Sequence, residues 1–312
     1  MEQRKIGDLT VSAVGIGCNN FGMRIDEQQT GTVVRAALDA GVNLFDTADV
    51  YGGTRSEEYL GRALGMRRDE AVVATKFGAQ IDDDRRGASA AYVRRAVEGS
   101  LSRLGTDRID LYQLHVPDAS TGIDETLGAL DELVRAGKVR EIGASNFTAE
   151  MIDESENVSR DHDWARFVSV QNEYSLLRRL PERGVLDACV RNNLGFLPYF
   201  PLASGMLTGK YKRNEEPPAG TRLANMPAER RDQAFTAKNF NRVEALERFA
   251  ADRDHTLLEL AFSWLLTRPA VSSVIAGATS PEQVRANAAA ATWPLTDDDL
   301  TEIDTLLDQA RP

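Results

Sequence analysis

The stretch Asn43-Leu-Phe-Asp46-Thr-Ala-Asp-Val-Tyr51-Gly52 reads as a buried strand that closes on a carboxylate and runs into a loop bearing a phenol. Val42 to Phe45 are the apolar strand, Asp46 ends it, and Tyr51 follows five residues later. A carboxylate at a strand end beside a loop phenol is an economical way to build a proton donor. Two later strands close on the groups such a phenol needs. Val72-Val-Ala-Thr-Lys76 ends in a lysine, and Ile109-Asp-Leu-Tyr-Gln-Leu-His115 ends in a histidine. Singly, each is ordinary: an Asp at a strand end is commonly a loop anchor or cap, and Tyr-Gly commonly marks a turn. Their succession is what points to chemistry, because the C-terminal strand ends of a closed parallel barrel share one face.

Short apolar strands alternate with amphipathic helices on both sides of that stretch. Residues 4–11 predict a hairpin turning at Gly7-Asp8. Strands are expected near 13–17, 42–46, 71–76, 109–114, 139–144, 167–171, 194–199 and 272–276. Helices are expected near 26–40, 56–65, 89–104, 122–136, 148–157, 182–192, 233–251 and 256–267, then 281–290 and 297–309. Val33, Val34, Ala37 and Leu38 show the spacing of a helix face packed on a sheet. Eight strand–helix units predict an α/β fold, a (β/α)8 TIM barrel. The N-terminal β-hairpin and extra C-terminal helices complete one domain over 1–312. A doubly wound sheet is the competing architecture. Its fingerprint fails here: Gly15-Ile-Gly17-Cys-Asn-Asn20 has Asn in the third glycine position, and no acidic residue follows at the usual strand end. No Tyr is followed four residues later by Lys, which argues against the short-chain dehydrogenase class.

The 312 residues carry a net charge of −11, and 42% are hydrophobic. That supports a sizeable core and argues against general binding to nucleic acid or an anionic membrane. The N-terminus opens no apolar signal region, and no apolar run approaches the roughly 20 residues of a membrane span. The expected compartment is the cytoplasm. Cys18 and Cys189 form no CxxC, and the three histidines, His115, His162 and His255, are scattered, so no metal site is expected. Cys18 reads as a small packed side chain rather than a reactive thiol. The segment 209–232 differs from the rest. It is a long irregular loop carrying Lys210, Lys212, Arg213, Arg222, Arg230 and Arg231, and loops of that length are commonly functional.

A phenol ordinarily has a pKa near 10, so an ammonium beside it is needed to favour the phenolate. Lys76 is the candidate, with Asp46 pairing to fix it and His115 hydrogen-bonding the substrate oxygen. The four residues Asp46, Tyr51, Lys76 and His115 together resemble the catalytic tetrad of the aldo-keto reductase superfamily, and the resemblance covers nearly the whole chain. It implies an enzyme that transfers hydride between NADPH, with NADH as the alternative, and an aldehyde or ketone. Further cofactor contacts are implied by resemblance alone. Cys18, Asn19 and Asp46 follow the first two strands. Ser145, Asn146 and Gln171 resemble the nicotinamide carboxamide set, and Tyr199 the ring that stacks on the nicotinamide. Phe200, Pro201 and Leu202 continue the stretch from Tyr199 that resembles the strand-seven end, and Ser204, Gly205 and Lys210 resemble the pyrophosphate-binding turn and loop. Gly277, Thr279, Gln283 and Asn287 resemble the adenosine end, with Arg222 on the 2′-phosphate.

The chain departs from the pattern at Phe200, where many members carry Ser, and at Gly277 and Gln283, where many carry Lys and Arg. Thr279, Gln283 and Arg222 match the branch that includes potassium-channel β-subunits and bacterial relatives. The alternatives are an NAD-dependent aldose dehydrogenase of the same fold, and a cofactor-binding regulatory subunit. Channel β-subunits tend to replace the histidine, so the intact His115 favours an enzyme. Neither substrate nor oligomeric state is fixed by these residues.

Overall fold

The computed structural model describes residues 1–309, apart from the side chain of Arg230, one of the cations counted in the 209–232 loop. The chain opens with the antiparallel pair β1 (Gln3–Ile6) and β2 (Leu9–Ser12), which turns at Gly7 with φ 54°. Eight parallel strands follow: β3 (Val14–Gly17), β4 (Leu44–Asp46), β5 (Val72–Phe77), β6 (Ile109–Leu114), β7 (Val139–Ser145), β8 (Phe167–Gln171), β9 (Gly195–Phe196) and β10 (Val274–Gly277). They pair in chain order from β3 to β9, and β10 joins β3. The ring closes where Phe196 N donates to Ala270 O at 2.7 Å and Ile275 N to Pro198 O at 3.2 Å. The fold is the (β/α)8 barrel that the sequence predicts. Nearly every strand residue is buried, as a sheet covered on both faces requires.

The helices are placed by their caps. α1 (Glu27–Asp39) begins in a reciprocal box between Asp26 and Gln29, and buries Val33, Val34 and Ala37 against the barrel. α2 (Arg55–Leu64), α3 (Ala90–Leu104), α4 (Ile123–Arg135), α5 (Ala149–His162) and α6 (Val185–Arg191) succeed the next five strands. α7 (Ala228–Ala234), α8 (Ala237–Ala251) and α9 (Leu257–Leu266) lie between β9 and β10. α10 (Pro281–Ala289) packs on α1, and α11 (Asp297–Gln309) on α8.

Several expected boundaries move, each for a physical reason. The strand expected over 194–199 shrinks to Gly195–Phe196, because Pro198 has no N–H to give a ladder, and Tyr199 makes only an isolated bridge to Glu173. The helix expected over 233–251 is two helices. Thr236 accepts from Asn239 N in an extended conformation, and that cap starts α8 afresh. The helix expected over 182–192 begins at Val185, since Gly184 sits at φ 111°. The basic loop 209–232 holds a helical turn at Leu223–Asn225 and the first turns of α7.

The barrel interior is apolar at its N-terminal end. Leu44, Val72, Ala74, Leu111, Val168, Leu197 and Ile275 form one cluster with Ile6, Leu9 and Val11 of the hairpin. The β1–β2 hairpin therefore plugs that end, and Arg4 ties it down by donating to the carbonyls of Val271 and Leu266 at 2.6 and 3.1 Å.

Candidate active site

At the opposite end the strand termini present their side chains together. Lys76, near the end of β5, is fully buried, yet it donates to Asp46 Oδ2 at 2.7 Å and to the Thr47 carbonyl at 2.9 Å. Asp46 ends β4, and its Oδ1 accepts from Gln171 Nε2 at 2.9 Å and from Gln113 Nε2 at 3.4 Å. Tyr51 is brought back over this pair by an abrupt turn, in which Gly52, Gly53 and Thr54 all have positive φ, at 61°, 65° and 76°. A Cβ on Gly52 would collide with the Phe21 carbonyl oxygen, so the turn that aims Tyr51 needs glycine there. Lys76 Nζ lies 5.1 Å from the centre of the Tyr51 ring, and the His115 ring meets that ring edge-on at 5.7 Å. The fold thus brings Asp46, Tyr51, Lys76 and His115 into one cluster.

Burial sets the protonation states. Burial, the largest single effect, would lower the Lys76 pKa, but the charges of Asp46 and Tyr51 and their hydrogen bonds together outweigh it and the net direction is up, so Lys76 is cationic at neutral pH. Burial pushes the Tyr51 phenol above its ordinary range, and Lys76 opposes this without overcoming it. The sequence argument expected Lys76 to lower that pKa. The Lys76 effect has the expected sign, but desolvation of the phenolate is larger. His115 is held down to about 3, first by burial and second by Lys76. At neutral pH the cluster presents a protonated phenol, a neutral imidazole and an ammonium locked to a carboxylate.

These groups open into a cavity of about 760 Å³, within the range of small-molecule and cofactor sites. Asp46, Tyr51 and His115 line it, with Asn19, Ser145, Asn146 and Gln171 beside them. Tyr199 lines it too, and its hydroxyl donates to Asn146 Oδ1 at 2.9 Å. Phe200, Pro201, Leu202, Ser204, Gly205 and Lys210 form the next wall. In that wall Phe200, Ala203 and Ser204 have φ of 51°, 45° and 59°, an uncommon concentration of left-handed non-glycine residues. Gly277, Thr279, Gln283 and Asn287 line the far end, where Gln283 Oε1 accepts from Thr279 N at 2.8 Å and Oγ1 at 3.1 Å.

Two expected residues do not line the cavity. Lys76 is sealed behind Tyr51 and Asp46. Cys18 is wholly buried; its thiol points back to the Ile16 carbonyl, and burial raises its pKa well above the ordinary value. The bland sequence reading of Cys18 as a packed side chain describes its position.

Arg222 is at the mouth, its guanidinium 4.6 Å above the Phe200 ring. Phe200 thus supplies a stacking face for a cation in place of a hydroxyl. Arg24 was missed by sequence reasoning. It lies in the loop between β3 and α1, where a lone arginine gives no signal, and its Nη2 donates to the Gly220 carbonyl at 2.6 Å, bridging the cavity mouth. Burial, then Arg24, lowers the pKa of both Lys210 and Arg222. None of these three cations forms an ion pair among the described residues. By contrast, in a neighbouring cavity of about 1230 Å³ that meets the first at Asn146 and Tyr199, Arg179 is neutralised by Glu182 and Asp304. Among the described residues no group of His, Cys, Asp and Glu could hold a metal ion, and no helix is long and apolar enough to cross a membrane.

A family model described as the aldo/keto reductase family matches residues 13–308. The chain is 34% identical to the aldo-keto reductase YhdN of Bacillus subtilis, covering 99% of this chain and 94% of the relative. It is 34% identical to the aldo-keto reductase yakc of Schizosaccharomyces pombe, whose name carries NADP(+), covering 98% and 92%. It is 33% identical to a probable voltage-gated potassium channel subunit beta of Oryza sativa, covering 92% and 90%.

Proposed function

Because the chain belongs to the aldo/keto reductase family, we propose that it uses NADPH to reduce an aldehyde or ketone to the alcohol, with Tyr51 as general acid. The convergence of Tyr51, Lys76, Asp46 and His115 at one end of the cavity carries this reading. Tyr51 lines the cavity, where its phenol would protonate a carbonyl oxygen that gains charge as it is reduced. The neutral His115 imidazole binds and orients that oxygen. Lys76 stabilises the phenolate left behind, and Asp46 fixes Lys76. Two buried free cysteines suit the cytoplasm as its setting.

The residues present fit a nicotinamide dinucleotide phosphate. Arg24, Lys210 and Arg222 are three cations on one cavity without carboxylate partners among the described residues, which favours a polyanion there. Ser145, Asn146 and Gln171 offer amide and hydroxyl groups beside Tyr51 for the carboxamide, and Tyr199 offers a ring. NADPH held there supplies the hydride.

Arg222 is assigned to the 2′-phosphate, with Thr279 and Gln283 assisting. A charge-assisted contact contributes about 1.5–3 kcal/mol, or about tenfold to a hundredfold in affinity. Arg222→Ala is expected to weaken NADPH binding by that factor and leave NADH binding unaltered in a titration of cofactor fluorescence. Equal loss for both would assign Arg222 to the pyrophosphate or the loop. No loss would return it to solvent.

An absorbance screen of aldehydes, ketones and sugars with both cofactors tests the reaction itself. Reduction of carbonyls with NADPH is expected. Preferential oxidation of sugars with NAD would replace it by an aldose dehydrogenase. Tight cofactor binding without turnover on any substrate would favour a regulatory subunit.

A further inference from the structure

Asp46 is held by more donors than its pairing with Lys76 requires. Oδ2 takes the ammonium at 2.7 Å, while Oδ1 faces two side-chain amides, Gln171 at 2.9 Å and Gln113 at 3.4 Å. The two amides differ in place. Gln171, at the end of β8, lines the cavity. Gln113 is fully buried inside β6, is absent from the cavity wall, and is the register partner of Lys76 across β5 and β6. On its other side the partner is Gly143 of β7, where a Cβ would come within 3.3 Å of Gln113 Cγ. The glycine leaves room first for Ser169, whose Oγ a Cβ would strike, and then for this side chain. Gln113 Oε1 is itself buried with no partner, a condition that native interiors seldom keep without a reason. A leucine would fill the position and avoid that loss. What an amide adds is a donor aimed at Asp46.

We propose that Gln113 is the permanent second anchor of Asp46 and Gln171 the exchangeable one. This rests on the reading of the cavity as a nicotinamide site. Gln171, turning to a carboxamide in the cavity, releases Oδ1. Gln113 stays, and the carboxylate keeps its orientation toward Lys76 through the exchange. Gln113 touches neither substrate nor cofactor. It is a positioning residue that acts through Asp46 and Lys76 on Tyr51.

Crystal structures of the wild-type protein with and without NADP+ test the exchange and need no variant. With NADP+ bound, Gln171 Nε2 is expected to leave Asp46, and Gln113 Nε2 to close to about 2.9 Å from Oδ1. Gln113→Met keeps the length and removes the donor. It is expected to leave NADP+ affinity within about twofold, lower kcat about tenfold, and move the basic limb of the kcat profile upward, because a less well placed Lys76 stabilises the phenolate less. Gln171→Met is expected to weaken NADP+ binding instead. An unchanged kcat and pH profile in Gln113→Met, or Gln171 still on Asp46 with NADP+ bound, would overturn the inference alone. Failure of the wild type to bind NADP+ would overturn the nicotinamide reading and this inference with it.

Discussion

Tyr51→Phe is expected to lower carbonyl turnover by about 10²–10⁴-fold, the range of a lost general acid, while cofactor affinity stays at the wild-type value. The substitution deletes one oxygen and keeps the ring that lies against Lys76 and His115. The cations assigned to the cofactor lie elsewhere on the cavity, at Arg24, Lys210 and Arg222. The pH dependence has a defined sign. Burial holds the Tyr51 pKa above its ordinary value, so the phenol keeps its proton through the neutral range and reduction falls only in base. Alcohol oxidation, which needs the phenolate, rises over the same basic limb. His115, held near 3, is neutral throughout and adds no limb in the ordinary histidine range. Steady-state rates against pH, in both directions, check this. Near-wild-type turnover in Tyr51→Phe would remove the phenol from its role.

Lys76→Met is expected to abolish turnover and also to destabilise the fold. The ammonium is fully buried and holds Asp46 at 2.7 Å. Its loss leaves a buried carboxylate oxygen facing an apolar thioether, and breaking one side of a buried pair costs about 3–5 kcal/mol. Adding Asp46→Asn to Lys76→Met removes the stranded charge. The double variant is expected to recover much of the denaturation midpoint and none of the activity. That separation distinguishes a catalytic ammonium from a structural one. A double variant no more stable than Lys76→Met would mean that Asp46 is not strained by losing its partner.

The tetrad was legible because a parallel barrel gathers strand ends, and Asp46, Lys76 and His115 each close an apolar run. What the sequence could not carry was direction and depth. Lys76 and Cys18 both lie near the site in the chain, yet Lys76 is sealed behind Asp46 and Tyr51 and the Cys18 thiol turns back to the Ile16 carbonyl, and only packing decides that. Arg24 was invisible because its partner, the Gly220 carbonyl, is 196 residues away. Gln113 did leave a trace. It is one of two polar residues in the all-buried β6, the other being Asp110, which pairs with Arg68 and Arg140. A polar residue inside a buried strand ordinarily has a partner, and for the Gln113 amide nitrogen that partner is Asp46. The break between α7 and α8 was likewise written in Thr236, read too readily as helix interior.

The hairpin at the N-terminal end has a consequence for traffic. β1 and β2 meet the strands beneath them through apolar side chains, which close that end of the barrel with hydrophobic packing. On the proposed reading, the cavity mouth beside Arg24 and Gly220 is a doorway to the phenol. The carbonyl compound would enter by that mouth, the alcohol would leave by it, and the proton that Tyr51 gives up would return by it. On that reading, recharging of the acid would follow departure of the product past Arg24 and Gly220, which meet at the mouth.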